Sequence, residues 1–294
     1  MVSAVVTTHK RNPEILERAI KSIISQSYKD IEIIVIDDSP EDYPLRDAVK
    51  NMVSKYEEHN IKYIQHDTPK GACAARNSGI EIAQGEYVGF LDDDDEWSPR
   101  KIEKQLQGFD NENVALVYGV YELLYENTGK VICKKSKCLS GNIFDELMTE
   151  NFIGSTSFPL IRKSALVDLN GFDVLMQSAQ DYDMWLRLAQ KYKVKFVDES
   201  MGIYHLHEGE TITANLTKKL NGLERIVEKN IEYLRANKSA YWYRHTGMVY
   251  YYAKDRKLGK ALKVWFKAVV RRPSKASLNF KNLINIFRVY FKLV

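Results

Sequence analysis

The chain has 294 residues, 45% hydrophobic and 28% charged, which excludes a disordered, collagenous or coiled-coil chain and leaves one large domain, or a large and a small one. No apolar run approaches the ~18 residues of a membrane span, MVSAVVTTHKR has too few apolar residues before its charges for a signal peptide, and three cysteines outside any zinc pattern (Cys73, Cys133, Cys138) fit the reduced thiols of a cytoplasmic protein. The net charge of +4 divides unevenly: residues 216–294 hold 19 Lys/Arg against 4 Asp/Glu, a net of +15, and the remainder carries −11.

Ser3 to Thr8 is short, Val-rich and continuous, the pattern of a buried strand. Asn12-Pro13 supplies a cap and first residue for a helix whose apolar positions are Leu16, Ala19, Ile20, Ile23 and Ile24. Ile31 to Asp38 reads as a second strand ending in two carboxylates. A polar helix over roughly Leu45 to Glu58, a strand at Ile61 to Gln65, a helix over Lys70 to Ala83 and a strand at Tyr87 to Leu91 follow, the last running into Asp92-Asp93-Asp94-Asp95. Alternating strands and helices with near-continuous apolar strands predict a mostly parallel central sheet flanked by helices. Ligands of such sheets bind beyond the carboxyl ends of the strands. Thr7, Thr8, Asp37, Asp38 and the Asp92–Asp95 run all fall at those ends, so they should converge on one edge.

After Trp97 the pattern is mixed. Ser98-Pro99 opens a helix, Val114 to Tyr125 and Lys130 to Lys137 form a hairpin around residues 127–129, and Thr156 to Arg162 is another strand. Tyr182 to Tyr192 is an amphipathic helix, and Lys195–Val197 and Gly202–His207 are late strands. From about Leu216 onward the chain is helical and rich in Tyr, Trp, Lys and Arg. The expected division is therefore a body over 1–215 and a basic helical region over 216–294.

Four consecutive aspartates repel one another unless a counter-charge is present. They are either a solvated cap or the ligands of a hard cation such as Mg²⁺ or Mn²⁺ shared with phosphate. Arg76 is either a salt-bridge partner of these carboxylates or a contact to a nucleotide. Asp181 and Asp183 are either helix caps or include a general base. His205 and His207 share one face of a strand, as plain strand residues or as ligands.

Taken together, VVTTHKRNPEILERAIKSIISQSY, IEIIVIDDS, GACAARNSGIEIAQGEYVGFLDDDDEW, GFD, AQDYDMWLRL and YHLHEG, in this order, resemble the family 2 glycosyltransferases, over about residues 1–210. The resemblance implies a GT-A fold with a C-terminal helical extension. It also implies an inverting, metal-dependent transfer of sugar from a nucleotide-diphosphate sugar, UDP preferred, to a glycan or lipid-linked acceptor in cell-surface polysaccharide synthesis. By that likeness Thr7, Thr8 and Asp38, with His9 and Arg11 beside them, hold the nucleotide. Arg76 lies near the base or diphosphate, Asp92 favours the ribose with Asp93 next to it, and Asp94 takes Mn²⁺ or Mg²⁺ with Asp95 in support and His207 nearby. Asp181 matches the catalytic base, Gln180 lies on the acceptor side and Trp185 packs beneath the acceptor site. Three features depart from the pattern: IDDSPED replaces IDDGS, Gln180 stands for Glu, and His9-Lys10 stand for Tyr-Asn. A nucleotidyltransferase is the rival enzyme, but TTHKRNPE lacks its Gly-rich phosphate loop. A catalytically silent binding protein would not need Asp94 and Asp181.

In the tail, Gly247, Tyr251, Ala261, Phe266, Ala268 and Pro273 resemble a tetratricopeptide-like helix pair joined near 254–258. Trp, Tyr and Phe interleaved with Lys and Arg over 241–273 suit peripheral docking at an anionic membrane, at the inner face of the cell membrane. A homodimer contact is the rival, and nucleic acid is not expected, since no recognised motif accompanies the charge.

Overall fold

Strand β1, Val2–Thr8, is almost wholly buried, and around it the first half of the sheet assembles. The computed structural model describes residues 1–134, 137–206 and 215–291. Asn12 caps helix α1, Pro13–Ile24, by accepting the Glu14 N–H, and Pro13 sits where no helical N–H is needed. Strand β2, Ile31–Asp37, pairs parallel with β1. Helix α2, Arg46–Ser54, is shorter than its apolar spacing predicts, closing before a single turn of 3-10 helix at Glu57–His59. Strand β3, Ile61–Gln65, helix α3, Ala72–Ile82, and strand β4, Tyr87–Asp92, complete four parallel strands in the order β3-β2-β1-β4.

Beyond β4 the sheet is mixed. Strand β5 is Glu96–Trp97 and helix α4 is Lys101–Leu106. Strand β6, Val114–Tyr125, and strand β7, Lys130–Lys134, form the expected hairpin. After helix α5, Phe144–Leu147, comes strand β8, Leu160–Arg162. Only its last three residues pair with β4 and β6, so the strand expected over 156–162 is corrected. Thr156 and Ser157 instead turn their hydroxyls onto the carboxylates of Asp92 and Asp95. Helices α6, Lys163–Asp168, and α7, Gln180–Lys191, precede strand β9, Lys193–Leu206. The two late strands expected at 195–197 and 202–207 are one strand as far as it is described. The polar Asp198-Glu199-Ser200 between them is absorbed as register irregularities against β6. Gly202 lies where β9 crosses β5: a Cβ there would sit 2.1 Å from the Glu96 carbonyl oxygen.

Two compact units divide the chain. The first comprises Met1–Phe144, Phe152–Val174 and the stretch from Asp181 through β9. On one face of its sheet, Val2, Ala4 and Val6 of β1 pack against Leu16, Ala19, Ile20 and Ile23 of α1, joined by Trp97 and Leu160. At ~25 cal/mol per Å² of apolar area, such full burial stabilises each large side chain by roughly 1.5–3 kcal/mol, which makes α1 a rigid support for the loop that precedes it. The second unit comprises Asp145–Asn151, Leu175–Gln180 and the C-terminal helices. These are α8, Leu216–Lys229, α9, Ile231–Ala236, α10, Lys238–Lys254, α11, Leu258–Arg271, and α12, Ala276–Tyr290. Their core is Leu220, Met248, Val249, Tyr252, Ala253, Ala261 and Ile286. Among the described residues no helix is long and apolar enough to cross a membrane, and Cys73, Cys133 and Cys138 form no disulfide.

Candidate active site

Parallel pairing sets the site. Thr8 stands opposite Asp37 and Thr7 opposite Asp92, so the carboxyl ends of β1, β2 and β4 reach one edge together. The loop after β1 is then clamped to the loop after β2. The Asp38 N–H donates to the Thr8 carbonyl at 2.9 Å, His9 Nδ1 donates to the Asp38 carbonyl at 2.7 Å, and the Lys10 N–H donates to Ser39 Oγ at 2.8 Å. Lys10 adopts a left-handed φ of 51°, turning the chain so that Arg11 faces the acidic run. Arg11 Nε donates to Asp93 Oδ1 at 2.8 Å and its Nη2 to Asp94 Oδ2 at 2.9 Å.

The four aspartates keep the alternation of the strand they follow. Asp93 and Asp95 are buried, whereas Asp92 and Asp94 are partly exposed. Burial pushes the Asp93 carboxyl up to about 6, with Arg11 pulling the other way. Asp95 is raised well above the usual carboxylate range by burial and by Asp92 and Asp94, while Ser157 Oγ at 2.5 Å and the His205 N–H at 3.2 Å donate to it. The run therefore consists of two inward structural carboxyls and two outward ones. That is how four like groups occupy adjacent positions.

Arg76, on α3, is buried and donates to Asp92 Oδ1 at 2.7 Å, with its guanidinium 5.5 Å from the centre of the Phe172 ring. Of the two readings of Arg76, the salt bridge is observed. Asp181 lies in the first turn of α7, where its Oδ1 accepts the Tyr182 N–H at 2.7 Å. Protein surrounding the carboxyl pushes it up to about 6; the Tyr182 N–H and Arg76 oppose this and Asp92 adds to it. Asp92, Arg76 and Asp181 thus share one electrostatic neighbourhood although 105 positions separate Arg76 from Asp181. Asp183 instead points into the core and pairs with Arg187 at 2.8 Å.

Asp38, Trp185 and Gln180 are held by contacts within the protein. Asp38 is buried, and its two oxygens accept from His66 Nδ1, the Lys70 N–H and the Gly71 N–H, each at 2.7 Å. It shapes the loop entering α3 instead of presenting a free carboxylate. Trp185 is fully buried, with its indole N–H on the Gly154 carbonyl at 2.9 Å, so it supports that loop from below and offers no surface to a ligand. Gln180 belongs to the second unit, where its amide donates to the Met176 carbonyl at 3.1 Å. His207 lies outside the described residues. Its neighbour His205 is buried between Glu126 at 2.5 Å and Glu96 at 2.9 Å.

Other residues at the rim were not singled out in the sequence. His66 follows β3 directly, so the same strand-end rule flags it. Tyr204 and Tyr121 are partly buried phenols raised by burial and by nearby aspartates, Asp181 among them in both cases. Thr156 contacts Asp92 at 3.3 Å. Arg18 donates to the Asp94 carbonyl at 2.8 Å and lies between Glu96 and Glu126, at 3.4 and 3.3 Å. It also lines a groove of about 660 Å³ along α1 and β5 whose charges are of both signs.

Among the described residues no three His, Cys, Asp or Glu side chains are gathered to hold a metal ion alone. The outward carboxylates of Asp92 and Asp94 are hard oxygen donors that stay partly exposed while paired with Arg76 and Arg11. They fit a cation of the Mg²⁺ or Mn²⁺ kind that draws its remaining ligands from phosphate and water.

The chain is 30% identical over 240 residues to a putative colanic acid biosynthesis glycosyl transferase, WcaA, of Escherichia coli K12, covering 78% of this chain and 81% of that one. It is 29% identical over 215 residues to WfaP of Escherichia coli, a UDP-Glc:α-D-GlcNAc-diphosphoundecaprenol β-1,3-glucosyltransferase, covering 68% and 75%. Among solved structures it resembles residues 1–349 of Staphylococcus aureus TarS in complex with UDP-GlcNAc, with a TM-score of 0.71 at 16% identity over 98% of this chain and 89% of that one. It also resembles the mannosyltransferase PcManGT of Pyrobaculum calidifontis in complex with GDP-Man and Mn²⁺, with a TM-score of 0.62 at 17% identity over 99% and 82%. Residues 3–169 match Glycosyl transferase family 2, and with the sheet order and acidic edge described above, the chain belongs to that family and is a glycosyltransferase with a GT-A-like fold.

Proposed function

We propose that this enzyme moves a sugar, with inversion, from a nucleotide-diphosphate sugar to a hydroxyl of a glycan or lipid-linked acceptor during assembly of a cell-surface polysaccharide. The observation that carries the reading is Asp181: a carboxyl raised to about 6 beside Arg76 and Asp92. A base with that value is ionised at neutral pH yet basic enough to take a proton. As the acceptor oxygen bonds to the anomeric carbon, Asp181 takes its proton, and the bond to the diphosphate breaks with its electron pair leaving on phosphate. A single displacement from the opposite face inverts the anomeric centre.

The other roles follow from what each side chain touches. Arg76 holds Asp92 in place, and Arg11 spans Asp93 and Asp94, so the rim is fixed before the donor arrives. Thr7, Thr8, His9 and the loop held by Asp38 form the nucleotide side. Asp94, with Asp92, would hold Mn²⁺ or Mg²⁺, which supplies positive charge against the diphosphate leaving group. The Mn²⁺ reported with PcManGT supports this assignment.

UDP is the preferred carrier, supported by the UDP-Glc of WfaP and the UDP-GlcNAc of TarS, with the GDP-Man of PcManGT as the alternative. The diphosphoundecaprenol acceptor of WfaP supports a lipid-linked acceptor here, and with it a cytoplasmic enzyme working at the inner face of the membrane. In this reading residues 1–215 form the catalytic domain and 216–294 an accessory region.

A thermal-shift screen of UDP-, GDP- and dTDP-sugars, with and without Mn²⁺, tests the proposal. A ligand at ~100 times its Kd stabilises the native state by about 2.7 kcal/mol. A UDP-sugar should raise Tm by several degrees, and more with Mn²⁺ than without. No shift with any nucleotide-sugar in either condition would overturn it.

A further inference from the structure

Helix α12 is apolar on two faces. Leu283, Ile286 and Val289 turn inward and pack in the core of the helical unit. Phe280, Ile284, Phe287 and Phe291, spaced by four, three and four residues, form a second stripe that is exposed, Phe280 by 64% and Phe291 by 58%. A folded chain rarely leaves three phenylalanines of one stripe in water without a partner for them. Lys281 and Arg288 are exposed beside the stripe. The outward side of α11 repeats the theme with Lys260, Lys263, Phe266, Lys267 and Val270.

This surface differs from the one the sequence pointed to. Tyr241, Trp242 and Tyr252 are buried, and the Trp242 indole N–H donates to Asn279 Oδ1 at 2.7 Å. Much of the aromatic content of α10 is therefore core.

We propose that the outward face of α12 docks on an anionic lipid bilayer, lying in the plane of the interface with its phenylalanines among the acyl chains and Lys281 and Arg288 at the headgroups. Charge selects this occupant. From residue 256 to 294 there are eleven Lys/Arg and no Asp or Glu, and each basic residue near a negatively charged leaflet adds attraction. A second copy joined through the same face would set Lys281 and Arg288 against their own counterparts. Apolar residues on one side and cations at the margin are the composition of an interfacial helix. The proposal is independent of the sugar-transfer reading.

The test is flotation of the full chain with phosphatidylcholine vesicles, with and without phosphatidylglycerol. Two variants accompany it, F280S/F287S/F291S and K281E/R288E, each checked by circular dichroism and melting temperature. Every substituted side chain is exposed, so the fold should be retained. The native protein should float with the anionic vesicles only, and binding should weaken with salt. Each variant should bind at least ~10-fold more weakly, with hydrolysis of soluble donor unchanged. Failure of the native protein to bind anionic vesicles, or binding by both folded variants equal to native, would overturn the proposal. So would a native dimer that becomes monomeric in the triple variant without any lipid binding, which would make a second copy the occupant.

Discussion

Asp181→Asn should lower the transfer rate by about 10²–10⁴-fold, the usual contribution of a positioned base, while changing donor affinity less than ~3-fold. The substitution keeps the shape of the side chain and leaves an oxygen to accept the Tyr182 N–H, but removes the group that takes the proton. Single-turnover transfer and equilibrium donor binding, measured on the same preparation, separate the two effects. Equal loss of both would make Asp181 a structural residue. The pH dependence gives an independent check. Because the folded carboxyl is raised to about 6, the native kcat/KM, which reports the free enzyme, should fall as pH drops through about 6, not near the ordinary carboxylate value. Stability should run the other way. A carboxyl raised by folding favours the fold when protonated, and that contribution is lost as pH rises through the folded value. Asn mimics the protonated form, so the variant should melt higher than the native protein at pH 7.5, with the gap closing below pH ~4.

Asp94→Ala should reduce donor affinity in Mn²⁺ by at least ~10-fold, since it removes a carboxylate ligand from a cation that bridges protein and diphosphate. Without a divalent cation, native protein and variant should bind donor equally weakly. The reasoning lies in the alternation of the run. Asp93 and Asp95 face inward and serve the fold, so they cannot replace Asp94 at the rim. Removing Asp94 also leaves Arg11 with Asp93 alone, which conserves the loop. Calorimetric titration of a UDP-sugar with Mn²⁺ and with a chelator measures the difference. Unchanged affinity of the variant in Mn²⁺ would remove Asp94 from the metal assignment.

The four parallel strands and their acidic edge were legible because continuous apolar strands alternating with helices admit few topologies, and strand ends then meet by geometry. The family motifs extended that reading to Asp181. What the residue pattern did not contain were the pairings. Asp38 looked like a ligand-facing carboxylate, yet its oxygens hold His66 and the loop entering α3, an arrangement visible only when β3 is placed beside β2. Trp185 was expected beneath the acceptor, but its bond to the Gly154 carbonyl was not visible in the pattern. Thr156 and Ser157 read as strand because hydroxyl residues beside apolar ones resemble an edge strand. Their hydroxyls bond instead to aspartates more than sixty positions earlier. In the tail, periodicity found helices but not which aromatic residues face inward, since α10 carries aromatic residues on its exposed side as well as its buried one.

Asp92, Asp94, Arg76 and Asp181 should line one site for a nucleoside diphosphate. The most direct measurement is a crystal structure with UDP and Mn²⁺, collected at a wavelength where manganese scatters anomalously. A manganese peak should lie within coordination distance of Asp94, with the diphosphate between that peak and Arg76. Ordered UDP elsewhere on the protein, with no peak at Asp94, would contradict it.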